Sequence, residues 1–413
     1  MLDKLGSRGL AVVHDAAVAA AGGAGPPVDG VCGGQEVRHG CQLLEQQLAG
    51  LRWLVVAGER HEVFRSLGAA ARDSVRAVLG TPDEDDELKS WLRSAEGKHR
   101  FTRLVETTRR RCGTQLAELA ALADGSGVGF EDLLLLNLLG DLGVPDGTGC
   151  SNVAWRRETS FVAHNEDGFP TEDGHLMVIT LNIEGQTPVT ALWYPGFLTA
   201  NAFTATGSGL VWGGTHIPVV RPGLTGAGRH FIARALQQAP TLDAAVAHLR
   251  AHPTAGGYAC TLGDSTSGRV AVVEAVAGRV AVHETDATHP LLWHTNHLRY
   301  LPEPPDDPAL LGDSRRAGAH ASRYEESMAR GRVLAAITPP QREPSTAWFV
   351  ETLTSESLPH GVHRTAHGAD QFMTLCTVVA DLSSGTIMLR NPKGNATQLA
   401  LSDFTHGNAA SMG

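Results

Sequence analysis

The chain has 413 residues, 42% of them hydrophobic and 19% charged, which is the balance of a folded protein longer than an ordinary single-core unit. Its 34 Lys and Arg against 44 Asp and Glu leave a net charge of −10, which repels nucleic acid and anionic membrane surfaces. No stretch approaches the roughly 18 uninterrupted apolar residues of a spanning helix, so neither a nucleic acid nor a membrane is an expected partner.

At the amino end, Lys4 and Arg8 ahead of the alanine-rich run 10–24 imitate a secretory leader. His14 and Asp15 interrupt that run, and no clean small-x-small cleavage site follows. The six cysteines (Cys32, Cys41, Cys112, Cys150, Cys260, Cys376) contain no CxxC and no tight pairing pattern. In a chain this long they read as free thiols, with the cytoplasm as the expected location. From about Cys41 to Leu142 the apolar spacing is helical: Leu43, Leu44, Leu48, Leu51 and Leu54 mark one segment, and Leu116, Leu119, Ala120 and Leu122 another. A run of turn formers, 143–149, ends this front third.

Beyond Cys150 the periods shorten. Runs 160–164, 176–183, 189–194, 209–212, 269–275 and 279–283 are β-branched or alternating and bounded by Gly, Asp or Pro, as strands are. Helical stretches are interleaved at 228–238, 242–251 and 323–336, and proline-rich loops at 301–308 and 338–345. A last pair of strands, 374–381 and 386–390, flanks the turn Leu382-Ser383-Ser384-Gly385.

Cys150 follows Gly149 where the two regions meet. Glycine leaves the preceding peptide carbonyl sterically open, so the Cys150 sulfur could attack it. An N-to-S acyl shift and hydrolysis would then release Cys150 as a new amino terminus. Its α-amine, with a reference pKa of about 7.7–8.0, would serve as a base beside the thiol. By spacing alone an inert thiol in a turn is the commoner outcome.

A family resemblance changes that weighting. Gly149-Cys150-Ser151-Asn152 followed by Ala163-His164-Asn165-Glu166-Asp167 resembles the start of the mature chain in the acyl-CoA:6-aminopenicillanate acyltransferase family. These are N-terminal-nucleophile (Ntn) hydrolases that mature by cleavage before a cysteine. Residues 34–40 resemble the family's opening turn, 262–283 around Val273-Glu274 its central hairpin, His294-Thr295-Asn296-His297 its Asn-His signature, and 374–385 its closing strands.

The resemblance implies an α+β fold, the four-layer αββα Ntn sandwich. Residues 1–149 form a mainly helical segment that becomes an α chain, and residues 150–413 a catalytic β chain that stays associated with it. It implies Cys150 as nucleophile and Gly149–Cys150 as the cleavage site. Asp167 holds the new amine, Asn296 supplies an oxyanion donor, and Arg364 is the cation near the thiol. Arg323 competes with Arg364 for that last role. Asn165 is as readily structural as catalytic. His164 is a supporting residue, and His297 reads as a histidine behind the site or in the core. Trp193, Tyr194, Phe197, Phe203 and Trp212 could line an acyl pocket, although core packing is the commoner fate of such residues.

His164 with His175, or His294 with His297, lacks the HExxH spacing of a zinc site, so no metal and no cofactor is expected. The expected partner is a small-molecule amide or thioester, an acyl-CoA donor among the candidates, and a higher oligomer stays open. The expected reaction is amide hydrolysis through a thioester. N-acyl transfer to an amine is the alternative within the family, and an uncleaved binding protein or a metallohydrolase the alternatives outside it.

Overall fold

The computed structural model describes residues 40–409, without 81–85, 144–148, 201, 220–221, 224, 287, 303–313, 357–361 and 368–369. The leader-like run, Cys32 and the opening turn up to His39 lie outside the described residues.

Two sheets face each other. The larger has nine strands, in the order β1 (Cys41–Leu48), β2 (Leu51–Gly58), β5 (Met177–Ile183), β6 (Val189–Trp193), β7 (Thr204–Thr206), β8 (Leu210–His216), β9 (Gly257–Asp264), β10 (Val270–Val276) and β11 (Arg279–Glu284). The smaller has six: β12 (Leu291–His294), β3 (Gly149–Arg156), β4 (Ser160–Gly168), β13 (Met373–Asp381), β14 (Thr386–Arg390) and β15 (Ala396–Ala400). Among the described residues every strand pairing is antiparallel except that of β2 with β5.

Among the described residues three apolar cores define the layers. One lies between the helices and the outer face of the nine-stranded sheet. There Val63, Phe64 and Leu67 of α1 (Arg60–Ala70) and Leu116, Leu119 and Leu122 of the helix at Gly113–Ser126 meet Leu54, Ile179 and Trp193. A second lies between the sheets, where Trp53, Val178, Val211 and Val272 meet Val162, Val378 and Ile387. The third joins Val153, Trp155, Phe161 and Ala163 to Leu334 of the long helix at Ser314–Ala335 and to Phe349 and Leu353 of the helix at Thr346–Leu353. Helix, sheet, sheet, helix is the expected four-layer α+β order.

The front third departs from its expected reading. Leu43, Leu44, Leu48, Leu51 and Leu54 mark no helix: they belong to the β1–β2 hairpin, in register from Cys41↔Gly58 to Leu48↔Leu51. Leu43 and Leu44 are exposed, whereas Leu54 is buried. The leucine spacing imitated a helical stripe because β1 lies at a sheet edge and buries few of its residues. Since β2 pairs with β5, this segment is part of the sheet and not a helical unit set beside it.

Expected strand 160–164 runs on to Gly168, through His164-Asn165-Glu166-Asp167, and every residue of it is buried. Polar residues continue this strand because the packing of both faces sets its length, not propensity.

Gly213 of β8 lets the sheets approach the site. A Cβ there would lie 2.6 Å from His164 Nδ1 and would also collide with Asn152 Oδ1. Gly213→Ala should therefore lower the melting temperature, at a cost of about 1–3 kcal/mol. Gly113→Ala, which meets nothing within 4 Å, should be close to neutral. Thermal melts of both variants against the parent check this, and equal shifts would refute it.

Candidate active site

Strands β3 and β4 position the site. They pair with Gly149 opposite Asp167, Cys150 opposite Glu166 and Asn152 opposite His164. Side chains alternate along a strand, and Ala154 and Val162 belong to the core between the sheets while Val153 and Ala163 belong to the outer one. Cys150, Asn152, His164 and Glu166 therefore point between the sheets. Gly149, Ser151, Asn165 and Asp167 face the helices.

On the inner side, the Cys150 thiol donates to Glu166 Oε1 at 3.7 Å, and the Tyr194 hydroxyl donates to the same oxygen at 3.0 Å. Glu166 Oε2 lies 2.8 Å from His164 Nε2. His164 Nδ1 lies 2.6 Å from Asn152 Oδ1, and the Asn152 amide donates to the Gly213 carbonyl at 3.0 Å. All five side chains are buried. Burial pushes the Glu166 carboxyl up to about 8 and the His164 imidazole down to about 3. Burial, then the charges of Glu166 and Asp167, push the Cys150 thiol well up.

On the helix side, the Cys150 backbone N–H donates to Asn296 Oδ1 at 2.9 Å, and Asn296 Nδ2 donates to the His216 carbonyl at 2.8 Å. Arg330, from the helix at Ser314–Ala335, donates to the Cys150 carbonyl at 2.5 Å, to Ser151 Oγ at 2.9 Å and to Asn296 Oδ1 at 2.8 Å. Arg364 pairs with Glu326 at 3.0 Å and with Asp370, and a Cβ on Gly149 would stand 2.7 Å from its Nη1. A side chain before Cys150 would have to displace that guanidinium. Asp167 Oδ1 accepts from Thr374 at 2.7 Å, while its buried Oδ2 has no hydrogen-bond partner among the described residues. Burial raises the Asp167 carboxyl to about 6 against the opposing pull of Arg364 and Arg330.

Of the expected residues, Cys150, Asp167, Asn296 and Arg364 converge on the Gly149–Cys150 bond. His164 and Tyr194 reach it through Glu166. Asn165 is a structural tie instead, donating to the Leu353 carbonyl at 2.7 Å and accepting from Thr377 at 2.7 Å. His297 lies behind the site, 2.8 Å from Ser327 Oγ and 2.9 Å from Thr295 Oγ1. Phe197 and Trp212 line a cavity of about 30 Å³ together with His216 and Tyr258. Trp193 and Phe203 are core residues. The Arg323 side chain lies outside the described residues.

Strand β12 stops at His294, so His294 and Asn296 do not share a strand face. His294 turns away to Glu274 and Thr215, each at 2.9 Å, while Asn296 reaches Cys150 from the following loop.

Sequence reasoning missed Glu166 and Arg330. The signal for Glu166 was its alternation with His164, legible only once β4 is extended. Arg330 lies on a buried stripe with Ser327 and Leu334 at helical spacing, but two polar members hide the stripe from an apolar count. Donor atoms of Cys150, His164 and Glu166 lie within 4.8 Å of one another, and each is already engaged in a hydrogen bond of this chain. Neither His164 with His175 nor His294 with His297 forms such a group among the described residues.

A model of the acyl-coenzyme A:6-aminopenicillanic acid acyl-transferase family matches residues 155–395, more than half of the chain, beginning just after Cys150. Among solved structures, two variants of the conjugated bile acid hydrolase from Clostridium perfringens are each 12% identical with a TM-score of 0.39, covering 63% of this chain and 95% of theirs. Penicillin V acylase from Agrobacterium tumefaciens is 14% identical with a TM-score of 0.38, covering 63% of this chain and 90% of its own. No curated protein matches the chain.

Glu166 gives stability a pH dependence of definite sign. Its folded pKa of about 8 exceeds the unfolded value of about 4.3, so the native state holds a proton that the unfolded chain has released. Stability falls as pH rises through that window, by at most about 1.4 kcal/mol per pH unit from this group. The lowered pKa of His164 acts in the opposite direction, but only below about pH 6.5. A Cys150→Ala chain should melt higher at pH 6.5 than at pH 8, and adding Glu166→Gln should flatten the difference. Equal slopes in the two chains would refute the assignment.

Proposed function

From the premise that the chain belongs to the acyl-coenzyme A:6-aminopenicillanic acid acyl-transferase family, and so is an amide hydrolase or acyltransferase of the Ntn type, we propose that it is a self-cleaving cysteine amidohydrolase. It cuts its own Gly149–Cys150 bond and then hydrolyses a small N-acyl or natural-product amide through a thioester. The observation that carries this reading is Asp167 Oδ2. It is a buried carboxylate oxygen with no hydrogen-bond partner among the described residues, on the residue paired directly across from Gly149. A buried carboxylate oxygen without a hydrogen bond is costly even with Arg364 and Arg330 in range, and a new ammonium group at Cys150 would satisfy it.

In the mature chain the Cys150 amine takes the thiol proton, and the sulfur attacks the substrate carbonyl. Asn296 accepts from the Cys150 nitrogen through Oδ1 and uses one Nδ2 hydrogen on the His216 carbonyl, which leaves the second for the oxyanion. Arg330 and Arg364 hold the carbonyl side of Cys150 and the Asp167 carboxylate in place. The amine returns its proton to the leaving nitrogen, and a thioester remains on Cys150. Water then releases the acid. An amine acceptor in place of water would make the same intermediate an N-acyl donor, and a thioester such as an acyl-CoA could charge it. Water outnumbers any amine unless the pocket excludes it, which favours hydrolysis.

Pairing of β2 with β5 supports lasting association of the two pieces, because the cut would leave one sheet built from both. Intact-mass spectrometry of the purified protein should give two chains divided at Gly149–Cys150. These should co-elute in native gel filtration and separate in denaturant, while Cys150→Ala gives one uncut chain. A wild-type chain that stays whole would sink self-cleavage and favour a binding protein. Candidate amides assayed with and without an added amine separate hydrolysis from transfer, and a product formed only with the amine reverses the preference.

A further inference from the structure

The reading above leaves one step without a base. Before the cut, the Cys150 nitrogen is an amide that donates to Asn296 and cannot accept a proton. Some other group must take the thiol proton the first time. We infer that Glu166, backed by His164, is that base, and that the pair works as a proton relay in the uncut chain. This inference rests on self-cleavage at Cys150.

Hydrogen-bond directions fix the relay. The Asn152 amide nitrogen donates to the Gly213 carbonyl, so Asn152 Oδ1 is an acceptor and His164 Nδ1 must carry the hydrogen between them. In the neutral ring His164 Nε2 therefore presents a lone pair to Glu166 Oε2, 2.8 Å away. A hydrogen bond there requires that Oε2 carry a proton. The resting pair is neutral imidazole and carboxylic acid, the state that complete burial favours for both. That leaves Glu166 Oε1 as a pure acceptor, and the Cys150 thiol and the Tyr194 hydroxyl both donate to it.

The step balances. The thiol proton passes to Oε1 as the Oε2 proton passes to His164 Nε2, so the carboxyl stays neutral throughout. The sulfur bonds to the Gly149 carbonyl carbon. The C–N bond then breaks as the Cys150 nitrogen takes up the proton stored on the relay, leaving a Gly149 thioester on Cys150. Water hydrolyses the thioester to a Gly149 carboxylate and a free thiol. No oxidant, metal or cofactor enters.

The other groups facing Glu166 do not fit the task. Tyr194 donates to it, and its own pKa is pushed well up. Asp167 turns its carboxylate to the opposite face and offers the sulfur only a backbone N–H. Glu172, raised to about 7, accepts from the Phe169 backbone. Cys376, from β13, is a buried thiol raised to about 12. Among the described residues, the lone pair that faces the carboxyl proton is that of His164 Nε2.

Glu166→Gln tests this without disturbing the packing. The amide can donate to His164 Nε2 and still accept from Cys150 and Tyr194, but it cannot pass a proton on. Self-cleavage of freshly refolded full-length chain would be followed by intact mass from pH 6.5 to 8, above the Asp167 value of about 6 and up to the Glu166 value of about 8. Wild type, which carries its own base, should change by less than about threefold across that range. Glu166→Gln should be at least about 100-fold slower at pH 7 and should speed up about tenfold per pH unit, because its thiol must ionise to solvent. His164→Gln, which keeps an acceptor oxygen but no basic nitrogen, should behave likewise and replaces the first variant if that one does not fold. A variant that cleaves at the wild-type rate with the wild-type pH slope overturns the relay and leaves self-cleavage standing. A wild-type chain that never cleaves overturns the self-cleavage reading itself.

Discussion

The antiparallel pairing of β3 with β4 puts two chemically different environments on either side of one peptide bond. In the register Gly149↔Asp167 and Cys150↔Glu166, the period of two sends the sulfur between the sheets and keeps the glycine against the helices. A slip of one residue would exchange the two sides. It would bury Asp167 among Val162, Val178 and Val211 and turn the thiol toward Arg330 and Arg364. Close packing on both faces specifies the register. The bulky Trp155 and Phe161 lie in the outer core, while Ala154 and Val162 lie in the inner one.

That division also sorts the charges. Both guanidinium groups stand on the helix side, where Arg330 binds the Cys150 carbonyl and Arg364 lies against Gly149. Among the described residues, the groups bonded to one another on the inner side can all be neutral: a thiol, a carboxylic acid, an imidazole, a phenol and an amide. Burial does most to shift Glu166, His164 and Cys150 alike. A dry site of this kind keeps the resting thiol protonated and therefore unreactive. In the proposed relay the carboxyl stays neutral while charge develops on the imidazole and on the attacked carbonyl.

Much of this was legible in the sequence, and the boundary between what was and was not follows from physics. The strands after Cys150 were readable because β-branched residues alternate between turn formers, as at 386–390, which is β14 without adjustment. The β1–β2 hairpin was not, because an exposed edge strand imposes no alternation and its leucines fell by chance at helical intervals. Cys150, Asp167 and Asn296 could be named from motif order alone. Arg330 could not, because it reaches Cys150 from 180 residues away, and no local pattern records which face of a helix a folded chain turns inward.

Glu166 is the instructive case. It stood inside the motif that identified its neighbour Asp167, and it was passed over because a sequence presents both as acids in a row. Only the pleat separates them. Asp167, on the helix side, has two cations in range that pull its pKa down, against the burial that raises it to about 6. Glu166, on the inner side, is raised by burial to about 8 against the hydrogen bonds of Tyr194 and Cys150. Adjacent carboxyls thus rest in different protonation states at neutral pH: an anion suited to hold an ammonium group, and an acid suited to pass a proton. The proposed self-cleavage needs both capacities next to one sulfur, and two consecutive residues on a strand supply them because the alternation gives each a different environment.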